Sequence, residues 1–309
     1  MTIPAPGMDH DLYGFEPLPG RAPLAWPQGA RIAACVVLYL EYWELDPPAG
    51  ALRDARFNDA AGYYHPDYRT FSWREYGNRV GIFRILDLLD RHALPVTVAA
   101  NAEACRRYPY LVDALAGRGY EFAAHGTHAT RMVSEKMSEA VERAFIGEAI
   151  DTVAATTGAR PAGWIAQDFG ESTRTPRLVA EAGLRYVMDF ANDDQPYRMN
   201  TPTPLLSIPN QTEWDDVQIL WHRRVPLARY AGLVGEAFDM LHRDSETSGR
   251  YFGLHIHPWL MGAPHRIREL ERVLEHVTAA ERVWWTTGAD LCRHLLDQPS
   301  SDATGPGPA

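Results

Sequence analysis

The stretch Arg31-Ile-Ala-Ala-Cys-Val-Val-Leu-Tyr-Leu40, which runs straight into Glu41-Tyr-Trp-Glu44, decides the fold. An unbroken apolar run of this length is what a strand covered on both faces needs, and such strands belong to parallel sheets. The rest of the chain keeps the same rhythm. Ile82, Ile85, Leu86 and Leu89 fall on one face of a helix ending near His92, and Leu94 to Ala100 follows as a second strand. A helix over Pro109 to Ala116 leads to a third strand, Tyr120 to Ala124. Val141, Phe145, Ala149 and Val153 mark the next helix, opening at a Ser138 N-cap and closing at Gly158. Ala162 to Ala166 reads as a fourth strand, and Thr175 as cap with Pro176 opens a helix that closes at Gly183. Strand-like runs recur at Arg185 to Phe190, Leu205 to Pro209, Arg250 to His255 and Arg282 to Thr286. About seven or eight strand–helix alternations in one unbroken chain favour a (β/α) barrel over an open sheet.

With 309 residues and 46% hydrophobic content the chain can bury a full core, and no linker interrupts it. The expected organisation is an N-terminal extension over 1–22, the barrel over 23–297, and a small, polar, disordered tail over 298–309. A formal net charge of −10, with no basic patch, argues against a nucleic-acid partner. No run is long enough for a signal peptide or a membrane span, so a cytoplasmic protein with no membrane partner is expected. Cys35, Cys105 and Cys292 are far apart and odd in number, which suits reduced, buried thiols. A homo-oligomer is compatible with these residues.

Polar residues gather where the strands end. The first strand meets Glu41, the third meets His125-Gly-Thr-His128, the fourth meets Gln167-Asp168, the fifth carries Asp189 and meets Asp193-Asp194, and a late strand ends in His255-Ile-His257-Pro258. Acids and imidazoles converging on one rim are hard to explain as packing. The imidazoles of His125 and His128, three residues apart, either share one metal ion or serve separately. The segment from Tyr42 to Asn78, including Tyr63-Tyr64-His65-Pro66, has no clear period and reads as a lid over the site.

The order of Leu-Tyr-Leu-Glu41, Tyr76-Gly-Asn-Arg79-Val-Gly, Ala-Ala-His125-Gly, Gly-Trp164, Asp194-Gln-Pro and Leu-His-Ile-His257-Pro resembles the NodB-homology polysaccharide deacetylases of carbohydrate esterase family four. It is most similar to the branch with allantoinase-like and cyclic-imide-hydrolysing members, from about Pro23 to about Leu296. The resemblance implies a distorted (β/α)7 barrel that hydrolyses a C–N bond of an N-acyl sugar or of a small ureide or imide. Where metal-dependent members carry a pair of acids, this chain keeps Glu41 but has Tyr42 beside it. Where they carry a second histidine it has Ala129, with His128 one place early. The allantoinase-like branch lacks that histidine too, so the resemblance implies an enzyme without a cofactor, the alternative being zinc or another divalent ion on His125 and His128.

Read without the family, amide hydrolysis needs a base, stabilisation of an oxyanion, and an acid for the leaving nitrogen. Glu41 is the candidate base, with desolvation expected to raise its pKa towards neutrality. His257 is the candidate acid, because an imidazole titrates near working pH. The resemblance implies for Arg79 the role of orienting an acid or gripping a carbonyl, and His125 is expected to polarise the substrate. Tyr42, Trp164, Asp168, Asp194 and His255 are the expected contacts to a small-molecule or carbohydrate substrate. The alternative function is an inactive barrel that only binds a small ligand or carbohydrate.

Overall fold

Strand β1 (Ile32–Leu40) is buried at every residue, as its apolar run requires. It forms the spine of the sheet in the computed structural model, which describes residues 6–49, 51 and 66–297. Along one edge β1 pairs in parallel with β8 (Arg250–Ile256). Its other edge is shared: β9 (Val283–Thr286) pairs with Ile32 to Cys35, and β2 (Val96–Ala100) pairs with Val36 to Leu40. From β2 the sheet continues in parallel through β3 (Glu121–Ala124), β4 (Gly163–Trp164), β5 (Tyr186–Val187) and β7 (Leu206–Ser207). The short β6 (Tyr197–Arg198) closes that end as an antiparallel partner of β7. The parallel path β7-β5-β4-β3-β2-β1-β8 contains seven strands, and it curls into a barrel, as the alternation favoured, of the distorted (β/α)7 form that the resemblance implied.

Alternate residues of β1 face two different cores, because strand side chains repeat every two residues. Ile32, Ala34, Val36, Leu38 and Leu40 point outward, into the layer formed by helices α2 (Ile82–Arg91), α7 (Tyr230–Asp244) and α9 (Ile267–Thr278). Ala33, Cys35, Val37 and Tyr39 point inward and meet Ala99, Ala123, Ile165, Met188 and Tyr251 in the barrel lumen. The floor of the lumen is closed by β9 and by helix α10 (Gly288–Leu296), whose Leu291 and Cys292 join the inner cluster. Gly163 has no side chain because a Cβ there would lie 1.9 Å from the Tyr186 ring.

No backbone ladder joins β8 to the far end of the sheet, and side chains take its place. Gln211 donates through Nε2 to the Tyr251 carbonyl (2.7 Å) and accepts the Gly253 amide on Oε1 (2.5 Å), so one side-chain amide mimics a strand's two hydrogen bonds. The Tyr251 amide donates to the Asp194 carbonyl (2.9 Å), and Trp214 Nε1 donates to the Gly253 carbonyl (2.9 Å).

Some local expectations change. In α5 (Glu139–Thr157) Ser138 caps as expected and Gly158 is left-handed, but Val141 is 56% exposed, and the buried stripe runs through Ile146, Ala149, Ile150 and Val153. Thr175 is the first residue of α6 (Thr175–Glu181) rather than its cap, because its hydroxyl is spent on the buried Glu142 (2.6 Å). The expected lid contains a regular helix, α1 (Tyr68–Tyr76), capped by Asp67. Tyr63 to His65 and the tail 298–309 lie outside the described residues. All three cysteines are free and buried.

Replacing Gln211 with Leu leaves a buried amide and a buried carbonyl without partners at about 1–3 kcal/mol each. Urea unfolding is expected to show a loss of about 2–5 kcal/mol, and a loss below about 1 kcal/mol would show that the closure does not depend on Gln211.

Candidate active site

The inward series of β1 continues past the strand, Tyr39 and then Glu41, and that of β8 continues through His255 to His257. The two strands pair with Leu38 beside Ile256, so Tyr39 comes beside His257, and their rings stack with centroids 3.9 Å apart and planes 9° apart. The same parity brings in His125 after β3 and Gln167 after β4. These residues meet at the carboxyl ends of the strands in a narrow cleft walled by Trp43, Phe169 and Trp259.

Glu41 is the centre of the cleft and is 5% exposed. Its Oε1 accepts Gln167 Nε2 (3.1 Å) and lies 3.8 Å from His125 Nε2, and its Oε2 accepts Trp43 Nε1 (3.4 Å). The Nδ1 of His125 is 2.6 Å from the Ile165 carbonyl, which can only accept, so Nε2 is the atom presented to Glu41. Across the cleft, Asp216 fixes His257 at two points, accepting its Nδ1 (2.6 Å) and its backbone amide (2.8 Å). His257 Nε2 is therefore its uncommitted ring nitrogen. His255 lies deeper, with Nδ1 2.8 Å from the Tyr39 hydroxyl.

The charges in this small volume settle one another. Burial disfavours ionised Glu41, but the contact with His125 and the charges of His257, His125 and Arg74 outweigh it and hold the carboxyl down at about 2. The expectation of a raised Glu41 pKa is thus overturned: desolvation is present, and neighbouring positive charge is stronger. Burial opposes the charging of His257 as well, yet Asp216, Asp215 and Glu41 raise it to about 9. His255 has no such partner, and burial with the nearby His257 and His125 pushes it down to about 3. Asp215 is lifted to about 7 by burial and by Asp216, with His257 opposing. At neutral pH the cleft therefore holds a Glu41 carboxylate opposite a His257 imidazolium.

Of the residues singled out in the sequence, Glu41, His125, Asp168 and His257 line the cleft and His255 supports it from below. Asp168 and Phe169 both sit in left-handed backbone, at φ 51° and 54°, in the loop that carries Gln167. Five residues are elsewhere. Tyr42 has the wrong strand parity and packs outward against the helical layer, with Arg107 over its ring. Trp164 also faces outward and is fully buried beside Phe145. Asp194 borders a separate groove at the amino end of β8, where its carbonyl takes the Tyr251 amide. Arg79 stands on the π-helical turn between α1 and α2, 71% exposed and paired with Glu75 at 3.6 Å. The buried guanidinium near Glu41 belongs to Arg74, five residues earlier.

His128 is the fifth. It faces Glu44 at 3.8 Å and the Tyr42 ring, outside the cleft, so it does not form a ligand pair with His125. Ala129, where the family motif has its second imidazole, is buried with its amide tied to the Tyr42 carbonyl. Among the described residues the group with metal-ligand spacing is Asp215, Asp216 and His257, whose ligand atoms lie within 4.8 Å of one another. That group does not fit an ion well: both Asp216 oxygens already accept N–H groups of His257, and the protonated Nδ1 offers no lone pair. Asp215, Asp216, Arg74 and the two tryptophans were not found from the sequence, and Gln167 was placed on the rim without a role. Asp215-Asp216 is a pair of acids just before the short apolar run Val217 to Trp221, and this was the available signal.

Residues 75–187 match the family model described as polysaccharide deacetylase. A Schizosaccharomyces pombe protein named as a polysaccharide deacetylase is 28% identical over 240 residues, covering 71% of this chain and 73% of the relative. A solved structure from Pseudomonas aeruginosa PAO1 assigned as a polysaccharide deacetylase superposes with a TM-score of 0.77 at 29% identity, over 90% of this chain and 96% of that one. The structure of the Puue allantoinase superposes with a TM-score of 0.76 at 29% identity, over 89% and 94%. The chain is thus similar to polysaccharide deacetylases over residues 75–187 and shares the fold of these solved structures.

If Asp216 holds the proton on His257, Asp216→Asn lowers the His257 midpoint measured by NMR from about 9 by a unit or more towards the ordinary value of about 6.5. Since the folded pKa is the higher one, the stability that His257 contributes is present below about 6.5 and is lost as pH rises through about 9. An unmoved midpoint in the variant would remove Asp216 from the account.

Proposed function

We propose that the protein is a hydrolase of a non-peptide carbon–nitrogen bond, using Glu41 as base and His257 as acid on a small amide-bearing molecule. The observation that carries this reading is the fixed pair of opposite charges, Glu41 carboxylate and His257 imidazolium, facing one cleft. Glu41 takes a proton from water as its oxygen bonds to the carbonyl carbon. His257 Nε2 then gives its proton to the nitrogen as the C–N bond breaks, releasing an acid and an amine. A carboxylate held near 2 is a weak base, but part of what holds it there is the His257 charge. As His257 gives up its proton, the affinity of Glu41 for one rises, so the two transfers assist each other. The Gln167 Oε1 and His125 Nε2 atoms, both buried and without partners, are the groups left to meet the substrate.

The narrow aromatic cleft favours a cyclic amide, imide or ureide over a polymer, which needs a groove open at both ends. The likeness to the Puue allantoinase supports the same substrate class, while the family domain keeps N-acyl sugars in view. No step above passes through a metal, in keeping with the poor fit of the Asp215, Asp216 and His257 group to an ion.

A panel of hydantoins, cyclic imides, allantoin and N-acetylated sugars tests the reading. One or more small cyclic amides should turn over, with Glu41→Gln and His257→Ala each lowering kcat by about 100-fold or more in folded protein. Binding without turnover across the panel would favour a ligand-binding barrel instead. With the substrate found, kcat/KM should stay level through neutral pH and fall as pH passes about 9, where His257 loses its proton. Dialysis against a strong chelator is expected to leave kcat/KM unchanged; loss restored by zinc would overturn the metal-independent mechanism.

A further inference from the structure

Arg74 lies on α1, whose sequence Tyr68 to Tyr76 has no apolar stripe to bury, and yet its guanidinium is 3% exposed. The cation is held among indoles. Its Cζ is 3.4 Å from the centroid of Trp259 and 4.2 Å from that of Trp43, with Trp73 at 5.3 Å and Trp221 at 5.9 Å. Three of these rings also pack on one another: Trp73 is 4.8 Å from Trp221 and 5.0 Å from Trp259, and Trp221 is 6.0 Å from Trp259. α1 is pressed into this position by backbone contact, because a Cβ on Gly77 would lie 2.4 Å from the Trp259 amide nitrogen.

Two of these rings are walls of the cleft. Trp43 gives its Nε1 proton to Glu41 from one edge while its face carries Arg74, and Trp259 follows His257 by two residues with Pro258 between.

We propose that Arg74 is a positioning residue for hydrolysis: clamped between Trp43 and Trp259, it fixes both indoles against the cleft and directs the Trp43 N–H onto Glu41. This inference rests on the hydrolase reading for its kinetic effect but not for its structural one. The guanidinium is the part that matters, since it presents a flat cation to two rings at once, which an ammonium cannot do. Its charge also faces Glu41, consistent with the low pKa of that carboxyl.

The test compares Arg74→Lys, Trp43→Phe and the double variant in the full chain, on the best substrate of the panel. Each single variant is expected to lower kcat about 10-fold with KM changed less than about threefold, and the double variant to lose no more than the worse single one. Additive losses, or kcat within about twofold of wild type in Arg74→Lys, would overturn the proposal. A second arm needs no substrate: acrylamide quenching of the indoles should rise in Arg74→Lys and in Arg74→Met while the far-UV spectrum is kept. Unchanged quenching in Arg74→Lys would also overturn it. If the panel shows no turnover, the hydrolase reading fails, and the quenching result still decides whether Arg74 holds the walls.

Discussion

The parallel pairing of β1 with β8, in a register that sets Leu38 against Ile256, is the constraint on which the rest of the site depends. It fixes which side chains share the lumen. With Tyr39 beside His257, the inward residue two further along β1 is Glu41, so base and acid candidates come from adjacent strands with no loop between to blur their separation. A slip of one residue would turn His255 and His257 out into the helical layer and bring Phe252, Leu254 and Ile256 into the lumen. The outward residues Val36, Leu38, Leu40, Phe252, Leu254 and Ile256 are large and apolar while the inward series carries Tyr39, His255 and His257, so the helical layer defends the register that the chemistry uses.

Within that frame the electrostatics are collective. Glu41, Asp215 and Asp216 bring three acids into one buried volume, against His257 and the more distant Arg74. Three full negative charges would be too many, and the arrangement relieves this by raising Asp215 to about 7 and charging His257. Glu41 keeps its charge because His125, His257 and Arg74 all act on it. Burial is common to every member, and what separates their behaviour is which partner each one faces.

The sequence made the barrel legible because its evidence is local: long apolar runs for β1 and β8, and a helical stripe such as Ile82, Ile85, Leu86 and Leu89. Motif order then brought Glu41, His125 and His257 together. What failed were residues whose meaning depends on parity across the strand end. Tyr42 sits one residue from Glu41, and Trp164 one residue from the inward-facing Ile165, so both face the other way. Arg79 and Arg74 differ in a similar manner, since the π-helical turn after Tyr76 carries Arg79 to the surface and leaves Arg74 inside. Asp216 was out of reach for another reason: it acts on a residue 41 positions away, and no local pattern states that pairing.

The altered motif around His128 follows the same logic. A metal-dependent amidohydrolase uses its ion to supply positive charge next to the scissile carbonyl and to lower the pKa of water. On the proposed reading that positive charge is already present as the His257 imidazolium, secured by Asp216 and backed by Arg74. A divalent ion placed beside them would be repelled by both, and His125 would have to meet it with the one nitrogen that now faces Glu41. On that reading, Ala129 and the outward His128 fit a site whose cation is a proton held on His257 by the Asp216 carboxylate.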